Sequence, residues 1–142
     1  MYFAPRYLWL AKPPLERLQK GRGELTLFLS PSDWQPETQA LLGKILEAVR
    51  RHLSEAEIWL AHRALTLERL RLFATPLLWV FGPITPLKRG VYEAESYAPI
   101  APPKGPFSQR CVFVLPALAE MLNNLPAKRE AWHYLSGLAL KS

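Results

Sequence analysis

The chain has 142 residues, 49% of them apolar and 21% charged, with a formal net charge of +6 and one cysteine. That length fits one domain with a sizeable core, and so large an apolar share excludes a disordered chain. The single cysteine excludes an intramolecular disulfide or thiolate metal cluster, the apolar runs are too short to span a bilayer, and the excess of cations favours acidic partners.

Residues 1–23 read as an aromatic leader, a flexible arm carrying Tyr2, Phe3, Tyr7, Leu8, Trp9 and Leu10. Pro5 and Arg6 interrupt its apolar part, so it lacks the continuous core of a signal peptide, and a cytoplasmic location is expected. A helical turn is predicted over residues 15–20, and Lys20-Gly21-Arg22-Gly23 reads as a flexible basic connector. The folded body is expected to occupy residues 24–142.

Residues 25–29 are short, unbroken and rich in strand formers, as expected for a strand covered on both faces. The cluster Ser30-Pro31-Ser32-Asp33-Trp34-Gln35-Pro36 is a turn that also supplies cap candidates. A helix is predicted over 37–52, with Leu41, Leu42, Ile45, Leu46 and Val49 on one face. Residues 55–61 form a second predicted strand. Thr66 is placed to cap a short helix over 67–73. Residues 76–82 make a third, wholly apolar strand ending at Gly82. A long irregular segment follows from Pro83 to Pro106, with one strand-like piece at 91–94. The last strand covers 110–115 and the last helix 128–138.

Strands alternating with helical crossovers imply one three-layer α/β domain around a central, mostly parallel sheet of four or five strands. Ligands of such sheets sit at the carboxyl ends of the strands. Those ends are Ser30-Pro31-Ser32-Asp33, Ala61-His62-Arg63, Gly82-Pro83 and Leu115-Pro116. Asp33 is a candidate for activating water, with a turn or helix cap as the structural alternative. His62, the only histidine predicted on a loop of this face, is the candidate for acid–base work, with a plain surface role as the alternative. The chain has no P-loop, GxGxxG, HExxH, CxxC or nucleophile elbow. No cofactor or metal is expected.

The stretch from Arg110 to Trp132 reads as strand, Pro turn, short helical run, second Pro and a helix carrying Lys128-Arg129-Glu130-Ala131-Trp132. This layout resembles the closing segment of the uracil-DNA glycosylase superfamily, in which the strand delivers a His-Pro pair to the active site. Leu115-Pro116 occupies that slot here. The first loop keeps a Pro and an acid but not the superfamily's glycines, and Ala61-His62 stands where an Asn usually reads the base. The resemblance therefore implies a uracil-DNA glycosylase-like fold with a degenerate pocket at Asp33, His62, Gly82, Leu115 and Pro116 and no catalytic residue.

An inactive fold of this kind is similar to the psi subunits of bacterial DNA polymerase III. That likeness implies a non-catalytic clamp-loader accessory, its leader binding clamp-loader subunits and its body a chi-like partner. The partner-binding candidates are Tyr2, Phe3, Tyr7, Leu8, Trp9 and Leu10, because a few buried aromatics can supply most of a small interface's energy. Packing of the leader on its own domain is the alternative. Two other functions stay open. One is a divergent DNA glycosylase or nucleotide-binding enzyme using His62 and Asp33; the other is a basic nucleic-acid-binding domain.

Overall fold

The computed structural model describes residues 14–103 and 110–139. In chain order the elements are β1 (Leu15–Gln19), β2 (Leu25–Leu29), α1 (Pro36–Ala48), β3 (Glu57–Ala61), β4 (Leu65–Thr66), α2 (Leu67–Leu70) and β5 (Leu77–Phe81). They continue with β6 (Ile84–Thr85), β7 (Gly90–Glu93), β8 (Cys111–Leu115), α3 (Leu118–Asn123) and α4 (Leu125–Leu135).

Six strands form the main sheet in the order β1-β3-β2-β5-β8-β7. The four central strands run parallel, and β1 and β7 are antiparallel edges. Five of the six fall on expected strands, β7 on the strand-like piece at 91–94, and the sixth is the edge strand β1. β4 and β6 pair separately as a short parallel ribbon.

Alternation along the central strands sorts their side chains into two layers. Leu25, Leu27, Leu29, Leu77, Trp79, Phe81, Cys111, Phe113 and Leu115 pack with Leu42 and Leu46 of α1, Leu118 and Met121 of α3, and Ala127, Ala131 and Leu135 of α4. Phe28, Leu78, Val80, Val112 and Val114 face the other way, against Leu65, Leu70, Ile84 and Tyr92. The second covering is thin, since α2 has four residues and irregular chain supplies the rest. Both faces are nonetheless dry, and full burial of each large apolar side chain is worth about 1.5–3 kcal/mol.

Helix α1 begins at Pro36, whose fixed φ suits the first helical position. The Thr38 hydroxyl accepts from the Gln35 N–H at 2.9 Å and donates to the Asp33 carbonyl, which fixes the entry angle. Helix α4 starts at Leu125, three residues before the expected 128, because the Asn124 side chain caps it by accepting from the Ala127 N–H at 3.2 Å.

The N-terminal expectation needs a larger correction. Residues 15–20 do not form a helical turn: Leu15, Glu16 and Arg17 pair with Ala61, Leu60 and Trp59. The sheet therefore starts ahead of Glu24, and a flexible arm over 1–23 is ruled out for 14–23. The connector itself is packed. A Cβ on Gly21 would lie 2.4 Å from the Glu57 nitrogen, so only glycine fits against that backbone. The Arg22 N–H also bonds the Glu55 carbonyl at 3.0 Å.

Candidate functional site at the carboxyl edge of the sheet

Parallel strand order sets where a ligand crevice forms. The chain steps from β2 to β3 on one side, then crosses to β5 on the other, and this reversal opens a crevice beyond the strand ends. Two adjoining cavities lie there. One, of about 340 Å³, is walled by the ends of β2, β3 and β5 and includes Ser30, His62, Arg63 and Gly82. The other, of about 370 Å³, lies between the ends of β5 and β8 and includes Lys88, Arg89, Leu115, Pro116 and Glu120.

Gly82 and Pro83 line both cavities and separate them. Gly82 has φ +131, a conformation that residues with a side chain rarely adopt, and its N–H donates to the Leu115 carbonyl at 2.9 Å. The glycine thus continues the β5–β8 ladder one residue past the strand while presenting bare backbone to both cavities. Leu115 pairs with Phe81 and is fully buried, and Pro116 is buried behind it. Neither carries a polar side-chain group, and the Leu115 carbonyl is taken by the Gly82 N–H.

Asp33 lies beside the first cavity in sequence but does not line it. Its carboxylate is 1% exposed and is turned toward α3, where Oδ2 accepts from the Leu118 N–H at 2.9 Å and Oδ1 from the Ala119 N–H at 3.1 Å. The water-activating candidate is a helix cap, although for a helix 85 residues downstream rather than the adjacent one. Nothing in the local Ser-Pro-Ser-Asp sequence specifies so distant a partner.

His62 does line the first cavity, and it has an acid partner. Its Nε2 lies 2.7 Å from Glu16 Oε1, and its backbone N–H donates to the Pro14 carbonyl at 2.9 Å. The imidazole is 9% exposed against 48% for Glu16, so the strand β1 closes over the ring and leaves the carboxylate at the surface. Glu16 was missed from sequence because it stood in the expected helical turn, and the run Leu-Glu-Arg-Leu-Gln carries no strand signal.

The second cavity has a charged rim. Arg89 bridges two helices, with Nη2 2.5 Å from Glu120 Oε2 on α3 and Nη1 2.8 Å from Glu130 Oε1 on α4. The hydrogen bond to Glu120 chiefly, aided by Glu130, holds the guanidinium still more firmly protonated than usual. No motif in the sequence singles out Lys88 or Arg89. The role of Arg89 depends on the Thr85 to Gly90 loop reaching α3 and α4.

The structure brings His62 and Gly82 into one cavity, and Gly82, Leu115 and Pro116 into the other. Asp33 joins neither lining. Among the described residues no group of His, Cys, Asp and Glu is arranged to hold a metal ion. No helix of the described residues is long and apolar enough to cross a membrane. Tyr2, Phe3, Tyr7, Leu8, Trp9 and Leu10 lie outside the described residues. Comparison with family models, with curated proteins and with solved structures found no match for this chain.

Proposed function

We propose that this chain is a non-catalytic accessory protein on a uracil-DNA glycosylase-like scaffold, of the psi type that serves the bacterial clamp loader. The observation that carries the reading is the commitment of the Asp33 carboxylate to two backbone donors of α3, away from the strand-end cavity. This carboxylate is 1% exposed, turned toward the helix it caps and absent from the lining of both cavities, so it does not reach a water there. Leu115, where the resemblance calls for a charge-handling imidazole, has only an isobutyl group sealed in the core. On this reading the leader binds clamp-loader subunits, and the retained α/β frame presents a surface for a chi-like subunit.

The test is affinity capture of the tagged full-length chain from its own cells, followed by identification of what co-purifies. Clamp-loader subunits well above an untagged control support the proposal. Their absence removes the clamp-loader assignment.

One observation favours a second reading. The His62–Glu16 pair, at 2.7 Å beside a cavity of about 340 Å³, is an acid–base unit on a strand-end crevice. A divergent glycosylase or nucleotide-binding enzyme would use it. Uracil release from single- and double-stranded DNA that is abolished by His62→Ala would establish that activity and displace the accessory reading.

A further inference from the structure

The outward face of α4 carries an apolar centre with a basic rim. Leu125, Lys128, Arg129 and Trp132 fall at i, i+3, i+4 and i+7, which is one helix face. Ala127, Ala131 and Leu135 supply the side buried against the core. Leu125 is 56% exposed and Trp132 44%, and Leu122, at the end of α3, is 37% exposed. A tryptophan nearly half exposed, on the same helix face as an exposed leucine, is unusual on a domain that buries most of its large apolar residues.

The charges on these two helices are sorted. The only acid on α3 is Glu120 and the only acid on α4 is Glu130, and both pair with Arg89. Lys128 and Arg129 have no carboxylate partner among the described residues. The outward face therefore combines aromatic and aliphatic area with uncompensated positive charge.

We propose that this face docks an acidic protein segment bearing apolar side chains. Tryptophan is the residue type that most often anchors an interface, and a cationic rim speeds encounter with an acidic partner and rejects basic ones. The exposed leucines favour a peptide over single-stranded nucleic acid, which would find one stacking ring here rather than a platform. The inference deepens the partner-binding reading above and rests on it for its biological meaning.

The experiment is a titration of the full chain labelled with 5-fluorotryptophan and followed by fluorine NMR, the Trp132 resonance being assigned with Trp132→Phe. The probe is a short synthetic peptide of Asp and Glu interspersed with Leu and Phe; its controls are an amide analogue with Asn and Gln and an oligothymidylate. The expected result is a saturable shift of Trp132 with the acidic peptide, weakened about tenfold or more by Lys128→Glu with Arg129→Glu. The double variant should keep the wild-type melting temperature.

No Trp132 shift at about millimolar acidic peptide, or an equal shift with the amide analogue, overturns the proposal. A tighter response to the oligothymidylate assigns the face to nucleic acid and overturns it as well. So does a Trp132 shift caused by deleting residues 1–13 or by dilution, which would assign the face to this chain's own leader or to a second copy. Failure of the parent reading looks different: clamp-loader subunits are then missing from the capture although Trp132 responds to the acidic peptide. Failure of the face alone leaves clamp-loader subunits in the capture while Trp132 does not respond to the acidic peptide.

Discussion

Asp33 and Leu118 are 85 residues apart in sequence and joined by a 2.9 Å hydrogen bond from the Leu118 N–H to Asp33 Oδ2. The bond ties the turn after β2 to the first turn of α3, directly behind the strand-end cavities. Because α3 has six residues and Ala117 offers no side-chain cap, Asp33 supplies the acceptors its first N–H groups need.

Removing that carboxylate leaves buried donors unpaired. Asp33→Ala should lower stability by about 2–3 kcal/mol, or roughly 6–10 °C in melting temperature. Asp33→Asn keeps one acceptor oxygen and should lose about half as much. Urea unfolding measures both. An Asp33→Ala protein with wild-type stability would show that the cap is not formed and return Asp33 to the list of groups available for chemistry.

Gly21 makes an equally specific demand. Its absent side chain leaves room for the Glu55 to Glu57 backbone, which a Cβ would approach at 2.4 to 2.8 Å. Backbone atoms cannot swing aside as a side-chain tip can. Gly21→Ala should therefore cost about 2 kcal/mol or more and loosen β1 from β3. Amide exchange should accelerate at residues 58–61 before it does in β5. Unchanged exchange there would mean that the connector does not hold the edge strand.

These two residues mark where the sequence stopped being readable. Strands β2, β5 and β8 were legible because strands buried on both faces are short unbroken apolar runs, and Leu-Leu-Trp-Val-Phe or Cys-Val-Phe-Val-Leu has little other use; β3 showed through its Ile-Trp-Leu centre, with burial alternating along it. Helix α1 showed its face through Leu42 and Leu46. Edge strand β1 was not legible, since an edge exposed to water tolerates Glu, Arg and Gln and loses the pattern. The candidate site divided in the same way. Gly82 and His62 were found because they follow strand ends, whereas Glu16 and the function of Asp33 depend on contacts at separations of 46 and 85 residues.

Trp79 tests the packing of the central sheet. It is fully buried beside Phe81 and Phe113, and its indole N–H finds no acceptor among the described residues. Trp79→Phe removes the orphaned donor together with some volume, so the two effects oppose each other. The cost should stay near or below about 1.5 kcal/mol, against about 3–5 kcal/mol for Phe113→Ala. Equal losses in the two variants would imply that the indole N–H is in fact satisfied.

Cys111 lies in the middle of the sheet with 0% exposure, and burial first, then the nearby Glu93 carboxylate, pushes its thiol from 9.0 up to about 11. The neutral thiol is favoured in the folded state, whereas the unfolded chain releases its proton from about pH 9. The contribution is thus fully present below that pH and is lost as pH rises toward 11. A two-unit difference corresponds to roughly 2–3 kcal/mol. Wild type should lose about that much more stability than Cys111→Ala between pH 8.5 and 11. Lysine and tyrosine titration affects both proteins alike and cancels in the difference. Iodoacetamide at pH 8 should leave the native thiol unmodified and label it fully in denaturant. Parallel pH profiles, or rapid labelling of the native chain, would place Cys111 in a more open setting than the β5–β8–β7 core allows.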